Sequence, residues 1–167
     1  MDNHYGNILW RICLDSYMRI KIDVLLETFP EYFNNSEGVF YDLGSGNGDL
    51  SIYIASKTPL KKVCGIELHT ERYNKSKENS KDLNLDHLSF IEADFTESNL
   101  SDATIIYTDN IAIPKSHSSK FYDNVPKGCL VISTRRINVF ENKKDYFRTP
   151  IIEKTYTSKR SNWYIIK

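Results

Sequence analysis

Cysteine is scarce in this chain: three residues, Cys13, Cys64 and Cys129, odd in number and far apart. That excludes a closed disulfide framework and a four-cysteine zinc site, and it makes a reducing, intracellular compartment the expectation. The four histidines, His4, His69, His87 and His117, have no paired ligand spacing, so no metal is expected. No stretch approaches the roughly 18 uninterrupted apolar residues of a membrane span. The opening Met1-Asp2-Asn3-His4-Tyr5-Gly6 has neither the basic nor the apolar run of a signal peptide. A Gly-x-Ser-x-Gly elbow and a lysine-containing phosphate loop are missing too, which removes the commonest hydrolase and nucleotide-triphosphatase signatures. What is there is a chain of 167 residues, 40% hydrophobic and 26% charged, enough for one domain with a real core. Alanine (4) is rare beside isoleucine (18), lysine (15) and asparagine (14), a bias that suggests an A/T-rich genome more than a structural demand.

Neither sign of charge dominates overall, but the zero net charge conceals a split. Residues 1–114 carry 10 basic and 18 acidic side chains, and residues 115–167 carry 12 basic and 4 acidic. Such asymmetry points to a polyanionic partner of the basic part, or to lysines that keep strand edges solvated.

No repeat, low-complexity tract or Pro/Gly-rich linker interrupts the chain, so one folded unit is expected. Ile8, Ile12, Tyr17, Ile20, Val24 and Leu25 share one face at helical spacing, and Pro30 limits that helix at or before Phe29. Apolar runs at 39–43, 62–67, 88–91, 103–107 and 129–133 read as strands. Between them, 50–55 fits a buried helix, Thr70–Leu83 a charged helix that Thr70 can cap, and Ser116–Val125 a third helix. Ile151–Thr157 and Trp163–Ile166 read as a closing hairpin. This alternation predicts a doubly wound α/β fold: a seven-stranded, mostly parallel sheet with an antiparallel hairpin at one edge. Its ligand is expected at the carboxyl ends of the strands.

The strongest motif is Asp42-Leu43-Gly44-Ser45-Gly46-Asn47-Gly48, between the first strand and the first sheet helix. Glycines there allow a sharp turn and a close approach of backbone to ligand. Glu67 ends the second strand, where a carboxylate can accept both hydroxyls of an adenosine ribose. A nicotinamide fingerprint wants a third glycine where Asp49 stands, and an acid at a helix start suits a cation better than a pyrophosphate. The pattern favours adenosine without phosphate, and S-adenosylmethionine meets that description.

These motifs, with Glu92-Ala93-Asp94-Phe95, resemble those of the class I S-adenosylmethionine-dependent methyltransferases over roughly residues 39–134. The resemblance implies that Gly44, Ser45, Gly46 and Gly48 pass under the methionine part, with Asp49 opening the helix beyond. It further implies that Asp42 holds the amino group, directly or through water, that Glu67 takes the ribose, and that Asp94 and Phe95 meet the adenine. Residues 39–167 then form the methyltransferase domain, and 1–38 a loop and helix packed on it.

A narrower resemblance is to the histone lysine methyltransferases named for disruption of telomeric silencing. It rests on Asp102 to Ile113, on Tyr5-Gly6 as the start of a loop over the cofactor, on 121–133 and on Trp163-Tyr164-Ile165-Ile166. Asp109 stands in place of that family's first Asn, and Ile111 and Ile113 in place of its two Phe residues. The resemblance implies an apolar lysine channel walled by Ile111, Ile113, Trp163 and Tyr164, with Asp109 at the incoming amine, and Asp109, Asn110, Trp163 and Tyr164 as the catalytic candidates. It also implies a nucleosome partner, with Lys143, Lys144, Arg148, Lys159 and Arg160 on nucleosomal DNA, and a nuclear location if chromatin is the substrate. The resemblance also leaves room for a homodimer that would supply a surface for docking on the nucleosome. Two other readings stay open: a methyltransferase of RNA, DNA or a non-histone lysine, and a non-catalytic chromatin-binding module with a vestigial pocket. The absence of a Pro-Pro-aromatic stretch after Asp109 speaks against a base methyltransferase that stacks a flipped base.

Overall fold

The computed structural model describes residues 22–109, 124–133, 146–148 and 162–166, the last two segments as backbone. Two helices, α1 (Ile22–Thr28) and α2 (Pro30–Phe33), precede β1 (Val39–Leu43). Then come α3 (Asp49–Lys57), β2 (Lys62–Glu67), α4 (Thr70–Ser80), β3 (Leu88–Glu92) and a 3-10 turn at Phe95–Glu97. Four more strands follow: β4 (Ile105–Thr108), β5 (Leu130–Ser133), β6 (Tyr146–Arg148) and β7 (Asn162–Ile166).

The seven strands form one sheet in the order β3-β2-β1-β4-β5-β7-β6. The pairs among β1 to β5 are parallel, and β7 runs antiparallel to both β5 and β6. The doubly wound expectation holds. The antiparallel pair of β6 and β7 lies at one edge as expected, with β7 between β5 and β6. Its first strand is Tyr146–Arg148, and the expected strand Ile151–Thr157 lies outside the described residues, as do the helix of 8–21 and most of that at 116–125.

The strands β1, β4 and β5 are buried at every position, as a sheet covered on both faces requires. Alternate residues feed two cores. Phe40, Ile105 and Leu130 pack with Phe29, Phe33 and Ile54 on one face, while Tyr41, Ile106 and Val131 pack with Leu100 and Ala103 on the other.

Local chemistry explains the boundaries. Residues 50–55 are helical, as the turn before them implies: Gly48 at φ +82° is the N-cap of α3, and Ser51 to Ala55 are buried. Thr58, extended before Pro59, ends that helix, and its hydroxyl donates to Ile54 O at 2.8 Å. Pro30 closes α1 but also opens α2 at its first position, where its missing N–H costs nothing. Thr70 is not the cap of α4: that position is His69, with no side-chain cap, and Thr70 Oγ1 donates to Glu92. β4 begins two residues later than its apolar run, because Thr104 clasps β1 instead: its hydroxyl accepts the Val39 N–H at 2.8 Å and donates to Val39 O at 3.1 Å.

Candidate functional site

The glycine turn joins β1 to α3 at the carboxyl ends of the strands. Gly44, Gly46 and Gly48 have φ of +79°, +58° and +82°, a region that costs other residues about 1–2 kcal/mol each. Their surroundings differ. A Cβ on Gly44 or Gly46 would meet nothing within 4 Å, so the turn faces open space there. A Cβ on Gly48 would stand 2.6 Å from the Phe90 ring and 2.7 Å from Ser76 Cβ. Phe90 also lies over Gly65, so one ring from β3 fills the groove between the turn and β2. Asn79 of α4 donates to Asn47 O at 3.1 Å and holds the turn from outside.

The N–H groups of the turn decide what it can bind. Those of Gly44 and Ser45 both donate to Ile66 O, at 2.8 and 3.0 Å, and that of Gly48 donates to Ser45 O at 3.0 Å. The Gly46 N–H donates to Glu67 Oε2 at 2.8 Å. A phosphate-binding loop aims such groups at its anion. Here four of the five N–H groups of Gly44–Gly48 are consumed inside the protein, and Asp49 stands in the first turn of α3. The site therefore suits a ligand with hydroxyls and positive charge, not a pyrophosphate.

The expected site residues fall as follows. Asp42 is 3% exposed and accepts the Ser51 hydroxyl at 2.9 Å on Oδ2. Glu67, also buried, is at the end of β2, one strand from the turn. Asp94 is half-buried and caps the 3-10 turn, its Oδ1 accepting Thr96 N and Oγ1 at 2.8 Å each. Phe95 is half-buried against the core beside Ala93 and Val125. Ser45 Oγ is turned inward, 2.8 Å from where a Cβ of Gly65 would stand, and has no hydrogen-bond partner. Asp109 is half-buried directly after β4, the strand beside β1. Trp163 and Tyr164 are on β7, opposite Ile132 and Val131. Arg148 ends β6 opposite Tyr164. Tyr5, Gly6, Asn110, Ile111, Ile113, Lys143, Lys144, Lys159 and Arg160 lie outside the described residues.

Three features escaped the sequence reading. Leu68 is 61% exposed directly after Glu67, an apolar surface that a purine ring could cover, and an apolar residue after a strand-ending acid was its signal. Phe90 had none, since an edge-strand Phe reads as core. Thr108 Oγ1, at the end of β4, is buried without a partner among the described residues. Burial pushes the Cys64 and Cys129 thiols up, which makes them inert core residues.

A family model described as a methyltransferase domain matches residues 34–149. The chain belongs to the methyltransferase-domain family. This methyltransferase domain is 29% identical over 68 residues to a tRNA (guanine-N(7)-)-methyltransferase of Rubrobacter xylanophilus, a match covering 41% of the chain and 30% of that enzyme's length. Its fold is similar to an RNA methyltransferase from Salinibacter ruber in complex with S-adenosyl-L-homocysteine. There the TM-score is 0.63 at 19% identity, over 88% of this chain and 92% of that one. It is also similar to MtNAS, solved as a point mutant with S-adenosylmethionine, at TM-score 0.67 and 14% identity over 87% and 61% of the two chains. The ligands named for both structures agree with the cofactor expected from the turn and Glu67.

Proposed function

We propose that the protein is an S-adenosylmethionine-dependent methyltransferase acting on RNA. The observation that carries the substrate class is the 68-residue match to a tRNA methyltransferase, and the fold likeness to a second RNA methyltransferase points the same way. The histone-lysine reading rests on the sequence resemblance alone, and the similar proteins give it no support.

The residues present fit the cofactor. Gly44 and Gly46 leave an open cradle, Glu67 offers acceptors for the ribose, and Leu68 a surface for the base. When bound, S-adenosylmethionine supplies a methyl group on a positively charged sulfur. Asp42, Asp49, Glu67, Asp94 and Asp109, all at or just past carboxyl ends of strands or at the start of α3, favour that charge. The protein's part in an in-line displacement is orientation and exclusion of water. A base ring nitrogen holds its lone pair at neutral pH, so an RNA acceptor of that kind needs no general base. Asp109 would then orient the acceptor by accepting an N–H from it. Lys143, Lys144, Arg148, Lys159 and Arg160 would hold phosphates, with affinity that falls as salt rises.

The test is transfer of a labelled methyl group to bulk tRNA, free histones and nucleosomes in parallel, with mass-spectrometric mapping of the product. Label on a base of RNA is expected, and Asp109→Asn should lower turnover while cofactor affinity holds. Label confined to a histone lysine would restore the histone-lysine reading and overturn the RNA reading.

A further inference from the structure

Glu67 has a second duty that ribose binding does not explain. Its side chain is 5% exposed, yet both carboxylate oxygens are in use. Oε2 accepts the Gly46 N–H at 2.8 Å, and Oε1 accepts the His69 N–H at 2.9 Å. The first bond reaches across from β2 to close the glycine turn, and the second fixes the chain as it enters α4. The preceding residue, Ile66, takes the Gly44 and Ser45 N–H groups on its carbonyl. The first half of the turn, Gly44 to Gly46, therefore hangs from two consecutive residues of β2. An ionised carboxylate has about four acceptor positions, so these two bonds leave others for a ligand's hydroxyls.

We propose that Glu67 is a positioning residue that holds the glycine turn in its binding shape before any ligand arrives, in addition to receiving the ribose. The inference rests on the cofactor reading above. A turn already held loses little freedom on binding, which is the general source of affinity through preorganisation. Glutamine cannot replace the carboxylate. Its amide offers one oxygen and one NH2, so the Gly46 or the His69 N–H would face a donor in a part-buried place. A glutamate serving the ribose alone would tolerate that change far better, because hydroxyls both donate and accept.

Amide hydrogen exchange in the ligand-free protein, for wild type, Glu67→Gln and Glu67→Ala, tests the clip directly. In Glu67→Ala both the Gly46 and His69 amides, and in Glu67→Gln one of the two, should exchange roughly 10- to 100-fold faster, while Val63 and Ile106 in the core strands keep their rates. Calorimetry with S-adenosylhomocysteine and its 2′,3′-dideoxy analogue adds the second arm. Both variants should lose affinity for both ligands, since the turn itself is released. Unchanged exchange at Gly46 and His69 overturns the proposal, as do variants that bind the dideoxy analogue as tightly as wild type. Should Glu67→Ala not fold, the nearly isosteric Glu67→Gln carries both arms. A wild type that binds neither ligand would sink the cofactor reading, and the exchange rates would still decide the clip.

Discussion

At the amino ends of the strands, polar groups find one another. Lys62 Nζ donates to Tyr41 Oη at 2.6 Å and to Asp102 at 3.0 Å, and Tyr41 Oη donates to Asp102 at 2.8 Å. Lys61 pairs with Glu37, and Gly38 O accepts two backbone N–H groups. At the carboxyl ends of the same strands, side chains are not all paired. The two buried side-chain atoms without a partner among the described residues, Ser45 Oγ and Thr108 Oγ1, are both there. So are Gly44 and Gly46 with their open sides and the exposed Leu68. An unmade hydrogen bond in a buried place costs about 1–3 kcal/mol. A fold that tolerates this at one end only has placed its holding work at the amino ends and its binding work at the carboxyl ends.

The largest effect should come from erasing the difference within the glycine turn itself. Gly48→Ala adds a methyl 2.6 Å from the Phe90 ring in a left-handed backbone, so strain and overpacking combine to about 3 kcal/mol or more. Gly44→Ala meets no atom and should cost only about 1 kcal/mol of strain, while its methyl takes ligand space. Urea denaturation with cofactor titration separates them: Gly48→Ala loses stability first, Gly44→Ala loses affinity first. Equal losses of stability would mean that Phe90 gives way and that the two glycines do not differ.

A change of opposite sign should follow from Thr108→Val. The side chain keeps its shape and loses a hydroxyl that pairs with nothing among the described residues, so the folded state should gain about 1 kcal/mol, read as a higher urea midpoint at unchanged slope. A loss instead would show that the hydroxyl has a partner in solution, and the contrast between the two ends would weaken.

The same contrast explains what was legible in the sequence. The residues of β1 and β2 could be read to the residue because apolar runs buried on both faces stop at glycines or at an acid, and the turn could be read because only glycine accepts φ of +58° to +82° cheaply. Backbone demands leave marks in composition. Contacts between distant side chains do not: nothing marks Phe90 as the filler of Gly65, or Glu67 as a partner of Gly46. β6 has three residues, too few for any period, and β7's insertion between β5 and β6 depends on pairing that no local pattern carries. On the acceptor side, Asp109 is legible only as an acid after a strand, and such an acid names no acceptor.

The smallest effect belongs to the amino ends. Burial pushes the Asp102 carboxyl up, but hydrogen bonds from Lys62 and Tyr41 outweigh it and hold the group below its ordinary value. Lys62 is opposed by its own burial and still raised, by Tyr41 and Asp102. A lowered folded pKa adds stability that is fully present above the unfolded value and is lost as pH falls through the folded one. A raised one adds stability that is present below the unfolded value and lost as pH rises. The cluster thus supports the fold across the neutral range and fails on both flanks. Because Asp102 and Lys62 are half-exposed, Asp102→Asn should cost less than about 1 kcal/mol at pH 7. Its signature is shape rather than size. In denaturation midpoints followed from pH 7 to pH 2, the variant's deficit should close as the wild-type carboxyl takes up its proton. A deficit that stays constant to pH 2 would mean that Asp102 acts through packing, and the amino ends would owe nothing to their charges.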